Sequence, residues 1–341
     1  PPRSTLFPYT TLFRSVKALL ASDIHSNWDA FEVLLRFQRR QKIDVIWLAG
    51  DQVGYGAAPL QTLRKLRGLG DMVQWVCGNH EELLSSYASR SVCARSKADV
   101  WGEQVLELAK GRWREHEDLP RVRPEAAQAM LLHRLEALGN EDMDWYLEEV
   151  YQKFSSSLKL QYLQVHDAPC LVRLVHGAPD SLHGYLYPWS SDFLRTQVLK
   201  QVKETIAHGQ QICTVFGHTH IPTLLRETQQ GGLENVALIY GQPFSLGEGV
   251  AMINPGSVGF PGDRDVRTAW AVLDLDNWSV TFYRAAYDLD MAVSRMAEKG
   301  YGYSLIKQMK EAPLRANEQS IGRNWIEKYE SQSKLSGGWD V

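Results

Sequence analysis

The sequence predicts an α/β fold, in which short buried strands and amphipathic helices alternate before the chain turns mainly to strands. Three observations indicate this: strand and helix patterns alternate in the first part, a long helical stretch follows, and short strand-like runs return after it. Hydrophobic residues make up 44% of the 341 residues and charged residues 23%. These are ordinary values for a globular chain, and they exclude a disordered, collagenous or coiled-coil protein.

The first part of the chain is predicted to alternate strand, helix, strand, helix, strand. An apolar run rich in strand formers (VKALLAS) comes first, and Phe31, Leu34 and Phe37 then recur at helical spacing. The predicted elements are a strand at 16–22, a helix at 28–40, a strand at 45–49, a helix at 60–69 and a strand at 72–77. This order implies parallel strands joined by right-handed crossovers, with functional loops at their carboxyl ends.

From residue 82 to about residue 154 the pattern changes to long amphipathic stretches, which predict an inserted helical segment. Its helices are predicted at 100–114, 125–138 and 142–154. The insertion contains Trp101, Trp113 and Trp145. These tryptophans either form the core of a helical unit or belong to a cap that narrows access to a substrate site and sets the leaving-group preference.

Strand patterns return after the insertion. Strands are predicted at 158–165 and 170–175, with Asp167-Ala168-Pro169 as the turn between them. A helix at 192–207 and a strand at 212–216 follow. The remaining strands are predicted at 223–226, 236–240, 250–253, 269–275 and 279–284, and we expect them to form a largely antiparallel second sheet. The last predicted helices are at 288–300 and 303–311.

One domain is predicted to span residues 16–312. Residues 1–15 are expected to be a non-native leader, because most of this segment (TLFPYTTLFRS) resembles the translation of a DNA-sequencing adapter. The alternative is a natural leader cleaved after Ser22, which would remove the first predicted strand. Residues 313–341 are polar and are expected to form a loosely held tail.

Charge and cysteine content exclude several classes of protein. With 37 Lys and Arg against 40 Asp and Glu, the net charge is −3, so the chain has no overall basic field for nucleic acid or an acidic membrane. Its four cysteines form no Cys-x-x-Cys motif, which argues against a disulfide framework and a thiolate zinc site. No apolar run approaches the roughly 18 residues that cross a bilayer. We therefore expect a cytoplasmic protein with reduced thiols, and its oligomeric state stays open.

Five short polar segments end or follow predicted strands. They are Asp23-Ile24-His25, Gly50-Asp51, Gly78-Asn79-His80-Glu81, His176-Gly177 and Gly217-His218-Thr219-His220. Each alone is typical of a turn or a helix cap. Together, however, they contain five of the ten histidines, and all lie where a doubly wound sheet gathers ligands.

The order of these segments resembles the calcineurin-like metallophosphoesterase superfamily. The resemblance covers most of the chain and includes Asn254-Pro255-Gly256-Ser257-Val258-Gly259, which is typical of small bacterial phosphodiesterase-type members. It implies a four-layer αββα sandwich with two mixed β-sheets and two metal ions at their edge. A neutral amide ligand such as Asn79 would supply an oxygen without charge, so the site would still attract a phosphate.

The resemblance implies the ligands of both metals. One metal would be held by Asp23, His25, Asp51 and His220, and the other by Asp51, Asn79, His176 and His218. Two divalent cations about 3.5–4 Å apart need a carboxylate that can bridge them, and Asp51 is the candidate. Mixed oxygen and nitrogen ligands suit manganese, which we expect, as well as iron, zinc or nickel.

The activity implied is hydrolysis of a phosphodiester or a phosphomonoester through in-line attack by a metal-bridging hydroxide. Asp51 and His80 are the catalytic candidates, and His80 would protonate the leaving oxygen or bind the phosphate. The expected substrate is a small phosphorylated or nucleotide-like molecule. Neither the charge balance nor an aromatic-basic cluster favours a long nucleic acid.

The sequence departs from two relatives that share these motifs. In diadenosine tetraphosphatases and protein serine/threonine phosphatases the second motif continues to an arginine that binds phosphate, whereas this chain has Tyr55 in GDQVGYG. Both activities are therefore alternatives ranked below a general phosphoesterase. Tyr55 either stacks on a base or leaving group or packs in the loop, and Arg264 and Arg267 either supply the missing cation or are solvated surface residues.

An alternative of another class is a non-catalytic metal-binding scaffold for protein interactions, because the superfamily resembles a retromer subunit of that kind. A scaffold would be expected to have lost metal ligands or the acid. In this chain every ligand position and His80 are filled, which favours an enzyme.

Overall fold

The computed structural model describes residues 17–43, 45–84, 129, 132–133, 140–155, 163–165, 170–178, 183–207 and 209–314. The helices are α1 (Trp28–Gln41), α2 (Pro59–Leu69), α3 (Glu141–Ser155), α4 (Asp192–Lys203), α5 (Leu289–Glu298) and α6 (Tyr303–Glu311). The predicted leader, the helix at 100–114, Trp101, Trp113 and the turn at 167–169 lie outside the described residues, as do most of the helix at 125–138 and of the tail. No described helix is long and apolar enough to span a membrane.

Twelve strands among the described residues form two six-stranded sheets. The strands are β1 (Lys17–Ala21), β2 (Val45–Leu48), β3 (Val73–Trp75), β4 (Leu163–Val165), β5 (Cys170–Leu174), β6 (Gln211–Val215), β7 (Thr223–Glu227), β8 (Leu233–Asn235), β9 (Pro243–Ser245), β10 (Val250–Asn254), β11 (Thr268–Asp274) and β12 (Ser279–Ala285). The first sheet has the order β3-β2-β1-β11-β12-β9 and the second β4-β5-β6-β10-β7-β8.

Both sheets are mixed. In the first, β1, β2 and β3 are parallel, as the alternation of strands and helices predicts, while β11 runs antiparallel to β1. In the second, β5, β6 and β10 are parallel, and β7 runs antiparallel to β10. The α/β class with two mixed sheets is therefore confirmed.

The expectation that the later strands form a second sheet of their own is wrong. β9, β11 and β12 join the first sheet, whereas β7, β8 and β10 join the second. The pairing of β1 with β11 joins Leu20 to Ala271, which are far apart in the sequence. Local patterning predicts that a segment is a strand, but it contains no information about such distant partners.

The predicted strand at 236–240 is also wrong, although its apolar pattern has a structural cause. Val236, Leu238 and Tyr240 pack against the core between the sheets while the chain passes from β8 in one sheet to β9 in the other. Val236 continues the pairing with Leu224 for one residue, and the chain then turns at Gly241, where φ is 78°. The alternation of apolar residues in this segment therefore reflects their burial against the core, and continuous pairing with a neighbouring strand is not its cause.

Helix α4 ends at Lys203, four residues before the predicted end at 207. The hydroxyl of Thr205 donates to the carbonyl of Val202 at 2.6 Å and accepts from Arg173 at 2.7 Å. The backbone N–H of Thr205 also bonds to Val202, three residues back, so the last turn is tightened. A threonine that bonds local carbonyls in this way competes with continuation of the helix.

The two sheets pack face to face and are covered by helices, which gives the four-layer sandwich. In β1, Leu20 points into the core between the sheets, whereas Leu19 packs with Phe31 and Leu34 of α1 on the outer face. On the other side of the molecule, Met252 of β10 packs in the core that includes α4. Alternate residues of a strand face opposite sides of its sheet, so each central strand contributes to two cores.

A close backbone approach fixes the loop after β1. The N–H of Gly259 donates to the carbonyl of Asp23 at 3.0 Å, and the side chain of Asn27 donates to the carbonyl of Gly259 at 2.8 Å. Asn27 also caps the first turn of α1 by accepting from Ala30 at 3.2 Å. A Cβ atom at Gly259 would lie 1.7 Å from the carbonyl oxygen of Ile24, so only glycine fits there.

Buried His133, from the inserted segment, contacts the loop that follows β2. Its Nε2–H donates to the carbonyl of Gly56 at 2.8 Å, and its side chain is fully buried. Burial lowers the pKa of His133 to about 3, so the folded protein keeps this imidazole neutral. A neutral ring therefore donates this hydrogen bond at ordinary pH.

Replacing Gly259 by alanine should destabilise the protein by about 1–3 kcal/mol, because the loop after β1 must move to admit the methyl group. The measurement is the free energy of unfolding in urea. Gly68→Ala is the matched control: Gly68 lies in α2 with nothing within 4 Å of an added Cβ, and this change should stabilise by up to about 1 kcal/mol. Equal effects of the two substitutions would contradict the close approach at Gly259.

His133→Gln should flatten the dependence of stability on pH. Below pH about 6.5 the unfolded chain binds a proton at His133 while the folded chain does not, since the folded pKa is about 3. As the pH falls from 6 to 5, the free energy of unfolding should therefore decrease by about 1.4 kcal/mol per pH unit more in the wild type than in the variant. Urea unfolding of both proteins in the presence of a chelator measures this difference. Parallel curves for the two proteins would show that His133 does not stay neutral.

Candidate metal centre

The residues predicted as metal ligands follow the carboxyl ends of five strands. Asp23 and His25 follow β1, Asp51 follows β2, Asn79 opens a helical segment at 79–84 beyond β3, His176 follows β5, and His218 and His220 follow β6. Because β1, β2 and β3 are parallel to one another and β5 is parallel to β6, these ends lie at one edge of each sheet. The structure brings the side chains together there.

Five of these residues have a left-handed backbone, which is uncommon for residues other than glycine. The φ angles are 55° at Asp23, 50° at His25, 55° at Asp51, 67° at His218 and 62° at His220. Strained conformations of this kind concentrate at functional sites and persist only where neighbouring structure holds them. Backbone hydrogen bonds of 3.0 Å from Asp23 to Gly50 and from His25 to Asp51 hold the first two loops together.

Four side chains form the first ligand group. Asp23, His25, Asp51 and His220 each offer an atom, and all four atoms lie within 4.8 Å of one another. His220 Nε2 lies 3.2 Å from Asp23 Oδ1 and 3.1 Å from His25 Nε2, and His25 Nε2 lies 3.7 Å from Asp51 Oδ2. This is a buried set of two carboxylates and two imidazoles, the mixed donor set that suits a divalent transition metal.

The second ligand group shares Asp51 with the first. It comprises Asp51, His176 and His218, again with one atom of each within 4.8 Å of the others. His176 Nε2 lies 3.5 Å from Asp51 Oδ2 and 2.9 Å from Asn79 Oδ1, so Asn79 also borders this group. The structure thus brings together all seven residues that the sequence analysis selected as ligands, with Asp51 between the two groups.

Three of the histidines are oriented by backbone carbonyls. The Nδ1 atoms of His25 and His176 are bonded to the carbonyls of Val53 at 3.2 Å and Ala49 at 2.7 Å, and that of His220 to the carbonyl of Phe260. A carbonyl can only accept, so Nδ1 carries a proton, and Nε2, which points into the cluster, is the ring nitrogen that a metal ion could reach. Such support fixes the tautomer and the direction of a metal ligand.

The buried charges of the cluster depend on one another. Burial alone would raise the pKa of Asp51, but His176, His80 and His25 outweigh it and hold this pKa well below its usual range. His220 similarly outweighs burial at Asp23 and lowers its pKa. Both carboxylates are therefore ionised and available as ligands at neutral pH.

Two histidines of the second group differ in charge. Burial would lower the pKa of His176, but the charge of Asp51 and a hydrogen bond to it raise that pKa to about 9. Burial and the charge of His176 lower the pKa of His218 to about 3. His218 Nε2 is buried without a hydrogen-bond partner among the described residues, so its lone pair is available for a ligand.

Glu81 organises the loops, a role that sequence reasoning missed. Its buried carboxylate accepts from the backbone N–H of Gly78 at 2.7 Å, of Asp51 at 2.8 Å and of Val53 at 3.2 Å. The hydroxyl of Tyr146, in α3, lies 2.9 Å from Glu81 Oε1. Burial and the charge of Asp51 raise the pKa of Glu81 to about 7. The sequence analysis includes Glu81 in the segment Gly78-Asn79-His80-Glu81 but gives it no role.

His80 borders the cluster from the side of the third motif. Its backbone N–H donates to Asp51 Oδ1 at 2.9 Å, and its Nε2 lies 3.9 Å from Asp51 Oδ2. The ring packs edge-on against His25 and Tyr55, with centroid distances of 4.6 and 4.7 Å. Tyr55 is only 5% exposed and also packs on Phe260, at 4.5 Å, which agrees with the packing alternative for this residue.

The two arginines suggested as phosphate cations contact other groups. Arg267 forms a two-point ion pair with Asp265, with distances of 2.6 Å from Nη2 and 3.0 Å from Nε. Burial would raise the pKa of Asp265, but Arg284 and Arg267 lower it. Arg264 is exposed and has a φ of 65°. A substrate role for Arg264 and Arg267 stays a prediction.

Comparison with known sequences places this geometry in a family. A sequence profile of the calcineurin-like phosphoesterases matches residues 16–222. The chain is 25% identical over 287 residues to the uncharacterized protein MJ0912 of Methanocaldococcus jannaschii, an overlap of 83% of this chain and 93% of that protein. It is 43% identical over 74 residues to a symmetrical bis(5'-nucleosyl)-tetraphosphatase of Sodalis glossinidius, which is 21% of this chain and 26% of that protein.

Solved structures show the same fold. A metallophosphoesterase from Sphaerobacter thermophilus superposes with a TM-score of 0.60 at 24% identity, covering 88% of this chain and 100% of its own. The hypothetical protein PH1004 from Pyrococcus horikoshii superposes with a TM-score of 0.60 at 17% identity, covering 87% and 99%. The profile match over more than half of the sequence confirms the resemblance found in the motifs: the chain belongs to the calcineurin-like phosphoesterase family and is a phosphoester hydrolase.

Proposed function

We propose that this protein hydrolyses a small phosphodiester or phosphomonoester at a centre of two divalent metal ions. The observation that carries the proposal is the shared carboxylate of Asp51, which belongs to both ligand groups. One group would consist of Asp23, His25, Asp51 and His220, and the other of Asp51, Asn79, His176 and His218. Manganese is the expected metal, and iron, zinc or nickel would suit the same donors.

The side chains fit such a centre. His218 presents a buried nitrogen without a hydrogen-bond partner among the described residues, and His25 and His220 direct their Nε2 atoms at each other across 3.1 Å. Two imidazole nitrogens that face each other in this way would be stabilised by a cation between or beside them. The two ionised carboxylates, Asp23 and Asp51, supply the negative charge that would compensate such cations.

When bound, two metal ions would supply a water nucleophile of lowered pKa and neutralise charge on the phosphoryl oxygens. The protein would hold their positions through Asp51, whose loop is fixed by the backbone N–H groups of Asp51 and Val53, which donate to Glu81. Rigid support of this kind is what preorganised electrostatic catalysis requires. Asn79 adds an oxygen without a further negative charge, so an anionic substrate would be attracted rather than repelled.

His80 is the group we assign to the leaving oxygen. It lies beside Asp51 without being needed to complete either ligand group, and it is 3% exposed. From this position the imidazole would donate a proton to the departing oxygen or a hydrogen bond to the phosphate. His133, a buried histidine that belongs to neither ligand group, bonds to Gly56 and stays neutral, so it supplies no proton.

Nucleotide polyphosphates are the second candidate substrate. The relative from Sodalis glossinidius, which matches a short part of this chain, is a symmetrical bis(5'-nucleosyl)-tetraphosphatase. Tyr55 stands where such enzymes are expected to have an arginine, which argues against that activity and against a protein serine/threonine phosphatase.

The filled set of candidate ligands argues against a non-catalytic scaffold. Cys170 and Cys213 form no disulfide among the described residues, which agrees with the cytoplasmic location we propose.

The first experiment is metal reconstitution. Chelated protein should be inactive on bis-p-nitrophenyl phosphate and p-nitrophenyl phosphate, and added manganese should restore turnover with about two equivalents bound. The ratio of the two rates separates a diesterase from a monoesterase. Metal binding without hydrolysis of any phosphate ester would contradict the proposed function.

Asp51→Asn should lower the rate of hydrolysis by at least about 100-fold, since even residues that only support metal ligands commonly contribute 10–100-fold. The variant should also bind fewer metal ions, as measured by elemental analysis after desalting. Asp276→Asn makes the same substitution at an exposed residue, and it should leave the rate of hydrolysis and the metal content unchanged. Full activity in Asp51→Asn would exclude the shared-ligand arrangement.

His80→Ala should retain the metal content of the wild type and lose about 10²–10⁴-fold in rate, the usual contribution of a positioned proton donor. The loss should be larger for phenyl esters than for p-nitrophenyl esters, because a poor leaving group depends more on protonation. A uniform loss for both esters would assign His80 to phosphate binding. A loss of metal would show that His80 is a ligand.

A further inference from the structure

Three aromatic side chains form a row beside the second ligand group. Tyr185, Tyr187 and Trp189, called here the aromatic stack, alternate along an irregular segment, while Leu186 is buried in the core that includes α4. The rings are nearly parallel, with interplanar angles of 4° for Tyr185–Tyr187 and 6° for Tyr187–Trp189. The three rings therefore line a partly exposed surface.

The aromatic stack reaches the candidate metal centre through His218. The ring of Tyr185 stacks on the imidazole of His218 with a centroid distance of 4.2 Å and an angle of 30°. His218 belongs to the second ligand group with Asp51 and His176. The row of rings therefore begins at a ligand of the metal centre and leads away from it.

The centre is more open on this side. Asp23, His25 and His176 are at most 2% exposed, whereas His218 is 7% exposed. Asn79, which borders the second group, is half-buried. A substrate phosphate would therefore approach next to His218 and Asn79, the side where Tyr185 lies.

Tyr185 retains an accessible face. Its side chain is 50% exposed, which is high for a ring that stacks on a buried histidine. Its centroid lies 5.6 Å from that of Tyr187, well beyond the about 3.5–4 Å separation of fully overlapping rings, so the two rings are strongly offset. The offset leaves part of the ring surface for another planar group.

We propose that the aromatic stack binds the base of a nucleotide whose phosphate lies at the metal centre. The inference rests on the proposed function, and it narrows the substrate class to nucleoside phosphates or their diesters. In a nucleotide one sugar separates the base from the phosphate, so a phosphate beside His218 places the base next to Tyr185. Stacking accepts any base because every base has a π-face, so the preference is for nucleotides in general.

The experiment compares two ligands that differ only in the base. AMP and ribose 5-phosphate are titrated calorimetrically into the manganese-loaded full-length protein. AMP should bind about tenfold more tightly, the size expected for one stacked base. Equal affinities would overturn the proposal, because the metal centre alone would then account for binding.

Variants assign the difference to Tyr185. Tyr185→Ala should reduce the AMP preference to less than about twofold, while Tyr185→Phe should retain it because the ring remains. Tyr303→Ala, which removes an exposed tyrosine from α6, is the matched control and should keep the tenfold preference. A preference that survives in Tyr185→Ala, or disappears in Tyr185→Phe, overturns base stacking on this ring.

Base binding and the proposed phosphoesterase activity can be confirmed or rejected independently. Metal-dependent hydrolysis of bis-p-nitrophenyl phosphate together with equal affinities for AMP and ribose 5-phosphate would retain the phosphoesterase and reject base binding. A Tyr185-dependent preference for AMP without hydrolysis under any tested metal would support base binding and reject the proposed catalysis.

Discussion

The carboxylate of Asp51, buried among histidines, is the constraint on which the rest of this structure depends. Removing a carboxylate from water costs several kcal/mol unless opposite charge and hydrogen bonds compensate. Burial alone would raise its pKa, yet His176, His80 and His25 hold that pKa well below its usual range. The backbone N–H of His80 donates to the same carboxylate at 2.9 Å. The fold thus keeps a negative charge at the junction of two ligand groups, where cations would be stabilised most.

Keeping Asp51 in place requires support from distant parts of the chain. The carboxylate of Glu81 accepts hydrogen bonds from the backbone N–H groups of Asp51 and Gly78. These bonds link the second motif, which contains Asp51, to the third, which contains Gly78 and Glu81. Two neighbouring carboxylates repel each other, which contributes to the raised pKa of Glu81, about 7. Tyr146 of α3 contacts Glu81 at 2.9 Å, so the inserted segment contributes to the order of the site as well as to its surroundings. This contact links α3 to the position of Asp51, which the proposed function places between the two metal ions.

The clustering of the candidate ligands was predictable because each follows a strand, and the ends of parallel strands meet at one edge, whereas their assignment to two metals came from the family resemblance. The role of Glu81 was not, since its partner Tyr146 is 65 residues away and no periodic pattern relates them. The division of later strands between the two sheets was missed for the same reason: the pairing of β1 with β11 is a distant contact. The row from Tyr185 to Trp189 alternates like a strand but belongs to neither of the two described sheets, so sequence patterning offered no function for it.

The packing of Tyr55 has a consequence for how a substrate would be selected. An arginine at this place would bind the phosphate in two-point contact and contribute to affinity for any phosphate ester. Tyr55 instead lies against His25, His80 and Phe260 and offers no positive charge. Under the proposed function, phosphate affinity would then depend on the two cations and on His80, which do not distinguish one ester from another. Discrimination must come from groups that contact the rest of the substrate, and on the open side of the centre Tyr185 is the exposed surface placed to do so.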